Sequence, residues 1–204
     1  MTTADRIGVP DLTGIWELNR KLSTDPEEIF TLQGVPWFIR KALRHARLSL
    51  EISQTTSTPL ADGLDREEGS NGKVALDEAI KPVTNLRLKQ IVNPGGFDSE
   101  GYFTVDGSTQ ELSLPIFGDI RTQMKFIDLS EIQDDSIRQT FRATSCGNMA
   151  IQELAQNTSK GWEAEVIWGF ENIDGKKYFT RNVSTVKDEK KVIGKMVYDG
   201  LSGC

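Results

Sequence analysis

The sequence predicts an all-β fold, an antiparallel up-and-down β-barrel with a short helical pair near its start serving as a lid. Three observations carry this expectation. Several stretches alternate apolar and polar residues with period two, tight turns of the Asp-Gly type separate them, and one well-capped helical block stands between the first two strands.

A first strand over 12–18 places Leu12, Trp16 and Leu18 on one side. Ser23-Thr24-Asp25-Pro26-Glu27-Glu28 then starts a helix. Thr24 or Asp25 supplies a capping oxygen, Pro26 suits the first helical position, and two acids sit at the positive end of the dipole. That helix spans 27–33 and stops at Gly34, which can take the left-handed conformation that ends helices. A second helix covers 36–45. Strand 47–56 alternates cleanly, with Leu48, Leu50 and Ile52 facing one way and Arg47, Ser49, Glu51 and Ser53 the other. From 59 to 82 the pattern dissolves into Gly, Asp, Glu and Ser around a helical turn near 75–80, and the segment reads as a mobile flap or an insertion. Strands resume at 85–92, 101–105, 110–117 and 119–129, the last two hinged at Gly118. Segments 136–145 and 149–156 read as the next strand pair, around Cys146-Gly147-Asn148. The final strands, 162–173, 176–186 and 191–199, are joined by Asp174-Gly175 and by Lys187-Asp188-Glu189-Lys190. Roughly ten strands and one helical pair make a barrel closed by a lid.

Length and composition bound the function. A chain of 204 residues is ordinary for one domain, 1–204, with a full core. Hydrophobic content of 37% and charged content of 26% describe a soluble globular protein, neither disordered nor membranous. A net charge of −6 argues against a nucleic-acid partner, because phosphate binding needs a basic face. No run approaches the roughly 18 apolar residues of a membrane span. The segment Met1 to Pro10 is polar and lacks an apolar signal core, so the expected location is the cytoplasm. Cys146 and Cys204 read as two free thiols in a reducing compartment. One histidine and two distant cysteines do not supply a metal-ligand set, and no phosphate-binding glycine loop is present, so neither metal nor cofactor is expected. The expected partner is a small apolar molecule, and the expected assembly a monomer or homodimer.

Gly14-Ile15-Trp16 on the first strand, followed by Leu32-Gln33-Gly34-Val35-Pro36-Trp37-Phe38-Ile39-Arg40-Lys41 and an alternating strand, resembles the start of the calycins. These are lipocalin-like β-barrels that hold small apolar molecules, and the helical insertion is similar to that of the intracellular fatty-acid-binding proteins. Ile116-Phe117-Gly118-Asp119-Ile120-Arg121, and Trp168-Gly169-Phe170-Glu171-Asn172-Ile173-Asp174-Gly175 through Val197-Tyr198-Asp199, resemble small lipocalin-like fungal proteins often encoded beside natural-product biosynthetic enzymes. The stretch 59–110 carries none of this likeness. The resemblance implies that Trp16 plugs the closed end of the barrel. One departure matters. Fatty-acid-binding proteins hold a carboxylate with an Arg-x-Tyr pair on the last strand, whereas here Tyr198 follows Met196, and Lys195 points to the other side. The resemblance implies a cup without assuring a carboxylate clamp.

A barrel turns alternate residues inward. Period two puts Trp162, Val166, Trp168 and Phe170 on the apolar side of one strand, Val192, Met196 and Tyr198 on that of the last, and Ile120, Met124 and Phe126 on that of a third. Singly, each simply fills a core. As a set, aromatics and methionines around one lumen make a wall for a rigid polycyclic ligand. The candidate ligand-binding residues are Met124, Phe126, Trp168, Phe170, Met196 and Tyr198, with Trp37 and Phe38 from the lid.

The candidate catalytic residues are Arg121, Tyr178 and His45. His45 ends the second helix, where a positive charge is favoured; its functional alternative is a general acid or base at the barrel mouth. Arg121, Arg142, Glu153, Glu165 and Arg181 occupy strand positions whose facing is open, with outward solvation the plainer alternative for each. A pair buried inward would have shifted pKa values and could protonate an epoxide, carbonyl or alkene, or hold an enol. Asp119 joins this list, and so does Tyr178, whose phenol can donate inside an apolar pocket. No Ser-His-Asp or Cys-His arrangement accompanies them.

The resemblance implies a cofactor-independent cyclase or isomerase, such as a pericyclase. It would fold an apolar polyketide or terpenoid intermediate into a near-attack shape without a covalent nucleophile. Composition alone favours the alternative, a non-catalytic carrier of a small hydrophobic metabolite.

Overall fold

A computed structural model describes residues 10–57 and 82–201. Its strands are β1 (Gly14–Leu18), β2 (Arg47–Ser57), β3 (Val83–Asn93), β4 (Ser99–Thr104), β5 (Thr109–Leu114), β6 (Gly118–Asp128), β7 (Met149–Asn157), β8 (Trp162–Ile173), β9 (Lys176–Lys187) and β10 (Lys190–Gly200). Helices α1 (Glu27–Leu32) and α2 (Trp37–His45) lie between β1 and β2, and α3 (Asp135–Thr144) between β6 and β7. The strands pair antiparallel in the order β4-β3-β2-β1-β10-β9-β8-β7-β6-β5, a meander whose two ends nearly meet. At that seam the side chain of Gln110 stands in for a ladder. Its Nε2 donates to the carbonyl of Thr104 at 3.0 Å, and its Oε1 accepts from the Thr104 N–H at 3.1 Å. The expected barrel with a helical pair after its first strand is the architecture observed.

Trp16 closes one end. Its Nε1 donates to the Leu12 carbonyl at 2.9 Å, and its ring lies 5.7 Å from Phe170 and 5.3 Å from Phe179 between centroids. The helical pair covers the other end. Pro26 is the N-cap of α1, and Asp25 just before it accepts from the Glu27 N–H at 3.1 Å, while Thr24 is pinned to β10 by a backbone and a side-chain bond to Lys195. Ile29 sinks onto the sheet at Gly194, where a Cβ would stand 2.7 Å from Ile29 Cδ1. Arg20 donates to the carbonyls of Leu43 and Ala46 and ties the end of α2 to the barrel.

The expected strand over 136–145 is instead α3. Asp134 accepts from the backbone of Ser136 at 2.9 Å and of Ile137 at 3.1 Å, a complete N-cap. Ile137 and Phe141 are buried against Ile127, Ala150 and Ile167 on the outer face of the sheet. Four residues apart, they share a face in a strand as well as in a helix, so periodicity does not separate the two here. The expected flap at 59–82 lies outside the described residues except for Pro82, as do Cys204 and all but the last residue of the stretch Met1 to Pro10. Cys146 is a free, exposed thiol.

Between α3 and the outer face of β8–β10 sits a fully buried carboxylate. Glu171 accepts from Lys195 Nζ at 2.6 Å, Thr180 Oγ1 at 2.6 Å and Asn182 Nδ2 at 2.8 Å, and from the Thr144 hydroxyl. Burial alone would raise its pKa, but these donors outweigh burial and hold it below the ordinary 4.5. A depressed folded pKa means that this stabilisation is present above 4.5 and is lost as pH falls below it toward the folded value. Lys195→Met should therefore cost about 3 kcal/mol in urea unfolding at neutral pH, by stranding a buried charge. Adding Glu171→Gln should restore most of that loss and flatten the fall in stability below pH 4.5.

Candidate functional site

Continuous ladders through β7–β10 arrange inward side chains in rows. Phe170, Phe179 and Tyr198 form the row above the Trp16 floor. The next holds Ile151, Trp168, Arg181 and Met196, and the one after it Met124, Glu153, Val166, Val183 and Gly194. Two charged residues thus meet inside the barrel. Arg181 Nη2 lies 3.5 Å from Glu153 Oε2, and the guanidinium covers the Trp168 ring at 4.1 Å from its centroid. Trp168 Nε1 donates to the same Glu153 oxygen at 3.0 Å. The Nε of Arg181 is buried without a partner among the described residues. Burial pushes the Tyr198 phenol above its ordinary pKa, and the adjacent Arg181 opposes that rise.

These groups line a cavity of about 180 Å³ under the lid. Its apolar wall includes Leu88, Phe103, Ile120, Val166, Val183 and Met196, and α1 contributes Ile29 and Phe30 with Gln33, its C-cap. The polar lining is Gln33, Gln90, Ser99, Glu153, Trp162, Arg181 and Tyr198, and the Nε1 of Trp162 is a second buried donor without a partner among the described residues. The volume is below the roughly 300 Å³ at which ligand pockets usually begin, so a larger guest has to displace mobile lining such as the Met196 thioether. A wider concavity of about 650 Å³ lies outside the barrel along β6–β9. There Glu165 is committed to the backbone of Gln133 and Asp134 and to Gln152, and Asp134 to Lys191 at 2.5 Å.

The residues singled out from the sequence fall into three places. Trp168, Met196 and Tyr198 line the cavity. Met124, Phe126 and Phe170 face inward but pack in the core instead, Phe170 as part of the floor. Trp37, Phe38, Arg121, Tyr178, His45, Asp119 and Arg142 do not face the lumen. Trp37 and Phe38 are 67% and 58% exposed, because α2 turns Ile39 and Leu43 toward the barrel and leaves its first two residues on other faces. Arg121 points outward and pairs with Glu111 at 3.2 Å, as its alternation with Ile120 requires. Tyr178 stands on the outer face opposite Glu171, with Lys176 Nζ 4.7 Å above its ring. His45 is exposed at the C-terminal residue of α2, Asp119 is exposed on β6, and Arg142 is exposed on α3.

Among the charged candidates, Glu153 and Arg181 are the pair brought together. Arg181 on β9 is the direct cross-strand neighbour of Met196 and reaches the space beside Tyr198. The signal was present in the turn. Asp188–Glu189 pairs Lys187 with Lys190, and counting back along both strands sets Arg181 opposite Met196.

No family model matches the chain. Aligned over 97% of its length, it is 26% identical to a probable pericyclase, scpY, of Mollisia scopiformis, 93% of which is covered. It is 23% identical over 98% of its length to pericyclase pydY of an Acremonium species, 97% covered. Among solved structures it is similar to the REP1-NXSQ fatty acid transporter, with a TM-score of 0.52 and 15% identity over 94% of this chain and 97% of that one. It is likewise similar to the fluorescent protein UnaG, with a TM-score of 0.52 and 12% identity over 93% of this chain and 96% of the other. The fold is a calycin-like barrel of the fatty-acid-binding-protein type.

Arg181→Met should strand the Glu153 carboxylate and cost about 3 kcal/mol in urea unfolding. Adding Glu153→Gln should recover more than half of it, giving a clear coupling energy in the double-mutant cycle. Arg121→Ala should change stability by no more than about 0.5 kcal/mol.

Proposed function

We propose that this protein is a cofactor-independent cyclase or isomerase of the pericyclase type, acting in the cytoplasm on an apolar polyketide or terpenoid intermediate held in the barrel. The observation that carries the reading is the Arg181–Glu153–Trp168–Tyr198 cluster inside an otherwise apolar cavity. The apolar wall confines a flexible chain to a folded shape, which removes much of the entropy that opposes ring closure. Arg181, held by Glu153 and by the Trp168 face, offers its free Nε–H to an oxygen conjugated with the reacting π system. Density drawn toward that oxygen in the transition state meets a donor already in place. Bonds are only redistributed, so the product is an isomer of the substrate. The similarity of nearly the whole chain to two proteins named as pericyclases supports the same reading.

A carrier would need the cavity but not this cluster, and it remains the second reading because the cavity alone suffices for it. No helix among the described residues is long and apolar enough to cross a membrane.

The test is incubation of purified protein with linear polyene carbonyl compounds, followed by chromatography and mass spectrometry. The expected result is a new peak of unchanged mass. Arg181→Met should lower kcat about 100-fold, the scale of losing one donor aimed at developing charge. Arg121→Ala and His45→Ala should stay within about twofold of wild type, since neither side chain reaches the lumen. A carrier would yield no new isomer, and Arg181→Met would alter affinity alone.

A further inference from the structure

In cyclisation Glu153 serves only to hold Arg181, yet a carboxylate in the wall of a largely apolar cavity has a consequence of its own. Among the described residues lining that cavity, Glu153 and Arg181 are the two that carry charge. Glu153 is 7% exposed and receives Trp168 Nε1 at 3.0 Å as well as the guanidinium. We propose that Glu153 is a resident counter-ion that sets the class of ligand: it occupies the cation from within the wall, excludes carboxylates, and reserves the cavity for neutral molecules bearing a carbonyl oxygen. This rests on the cavity assigned above to cyclisation but does not depend on turnover.

Charge and donor count separate the two kinds of ligand. A ligand carboxylate entering the cavity gives up its hydration and needs an unpaired cation in return. Among the described residues the lining offers none, because its one guanidinium faces a carboxylate already and Met196, the cross-strand neighbour of Arg181, is neutral. The incoming charge would also lie close to Glu153 in a space with little water, and like charges so placed disfavour one another strongly. A ketone, enone or ester carbonyl meets neither obstacle. It requires a single donor, and two of the residues lining the cavity carry buried N–H groups without partners among the described residues, Arg181 Nε and Trp162 Nε1, while Tyr198 adds a hydroxyl. The arrangement therefore accepts an oxygen and rejects a charge.

The test compares 2-undecanone with decanoate, which share an alkyl chain and differ by a methyl group in place of an anionic oxygen. Their binding to the full chain is measured by titration calorimetry at neutral pH. The wild type should hold the ketone at least about tenfold more tightly than decanoate. Glu153→Gln keeps the side-chain shape and an acceptor for Trp168 while releasing Arg181, so it should bind decanoate about tenfold better than wild type and reverse the preference. Combining Glu153→Gln with Arg181→Met should abolish that gain. Equal or tighter binding of decanoate by the wild type would overturn the proposal, as would failure to bind the ketone, or a folded Glu153→Gln protein that keeps the wild-type ratio. The wild-type comparison needs no variant and decides the matter even where Glu153→Gln does not fold. Selectivity for the ketone without turnover of any polyene would leave this inference standing and sink the cyclase reading. Turnover with a preference for decanoate would do the reverse.

Discussion

The barrel depends on five residues of β1 pairing on both edges. Trp16 lies opposite Leu50 of β2 and Gly200 of β10, and Leu18 lies opposite Tyr198, so the start and end of the chain are sewn into one sheet. The loop this closes spans most of the protein, and its entropy has to be offset by what the closure buries. That burial is the aromatic floor, Trp16 against Phe170 and Phe179, with Tyr198 stacked on Phe179 at 5.3 Å. Closure also settles orientation. With side chains alternating at period two, a one-residue slip at this junction would turn Tyr198 and Met196 out to solvent and bring Lys195 in.

Much of this was legible in the residues. Asp174 and Asp188 both adopt positive φ, near 52°, as tight hairpin turns require, and their place in the sequence fixes the register of β8, β9 and β10. From there Trp168, Met196 and Tyr198 follow as one wall. The same counting turns Arg181 inward and Tyr178 outward, and it turns Arg121 outward once Ile120 and Met124 are inward. What periodicity did not reveal was α3, where Ile137 and Phe141 suit either period, and the facing of α2, where an exposed Trp37 and Phe38 imitate a lid that dips into its cup. Nor does any local pattern show that Glu153 and Arg181 meet, since β7 and β9 are neighbours only through β8.

Two of the buried carboxylates of β7 and β8 make an instructive contrast. Glu171, on the outer face, is surrounded by four side-chain donors and tethers α3, β9 and β10 together. Glu153, on the inner face, has the Trp168 indole and a guanidinium at 3.5 Å, and beside it a donor remains without a partner. A buried ion pair seldom stabilises a fold beyond what apolar residues of the same volume would provide. A satisfied network such as that of Glu171 reads as scaffold, whereas an incompletely satisfied one that faces a cavity reads as a place prepared for a guest.

The seam between β4 and β5 bears on how such a guest gets room. Among the described residues nine strand pairs carry ladders, and the tenth junction rests on the two hydrogen bonds of one carboxamide. Any swelling of the interior has to lengthen the circumference somewhere, and a ladder yields only by breaking several bonds at once. Compliance is therefore concentrated along one line of the wall, and Gln110 acts as its clasp: the barrel is rigid in the half that carries Arg181 and Glu153 and expandable along the seam that lies across from β9 and β10.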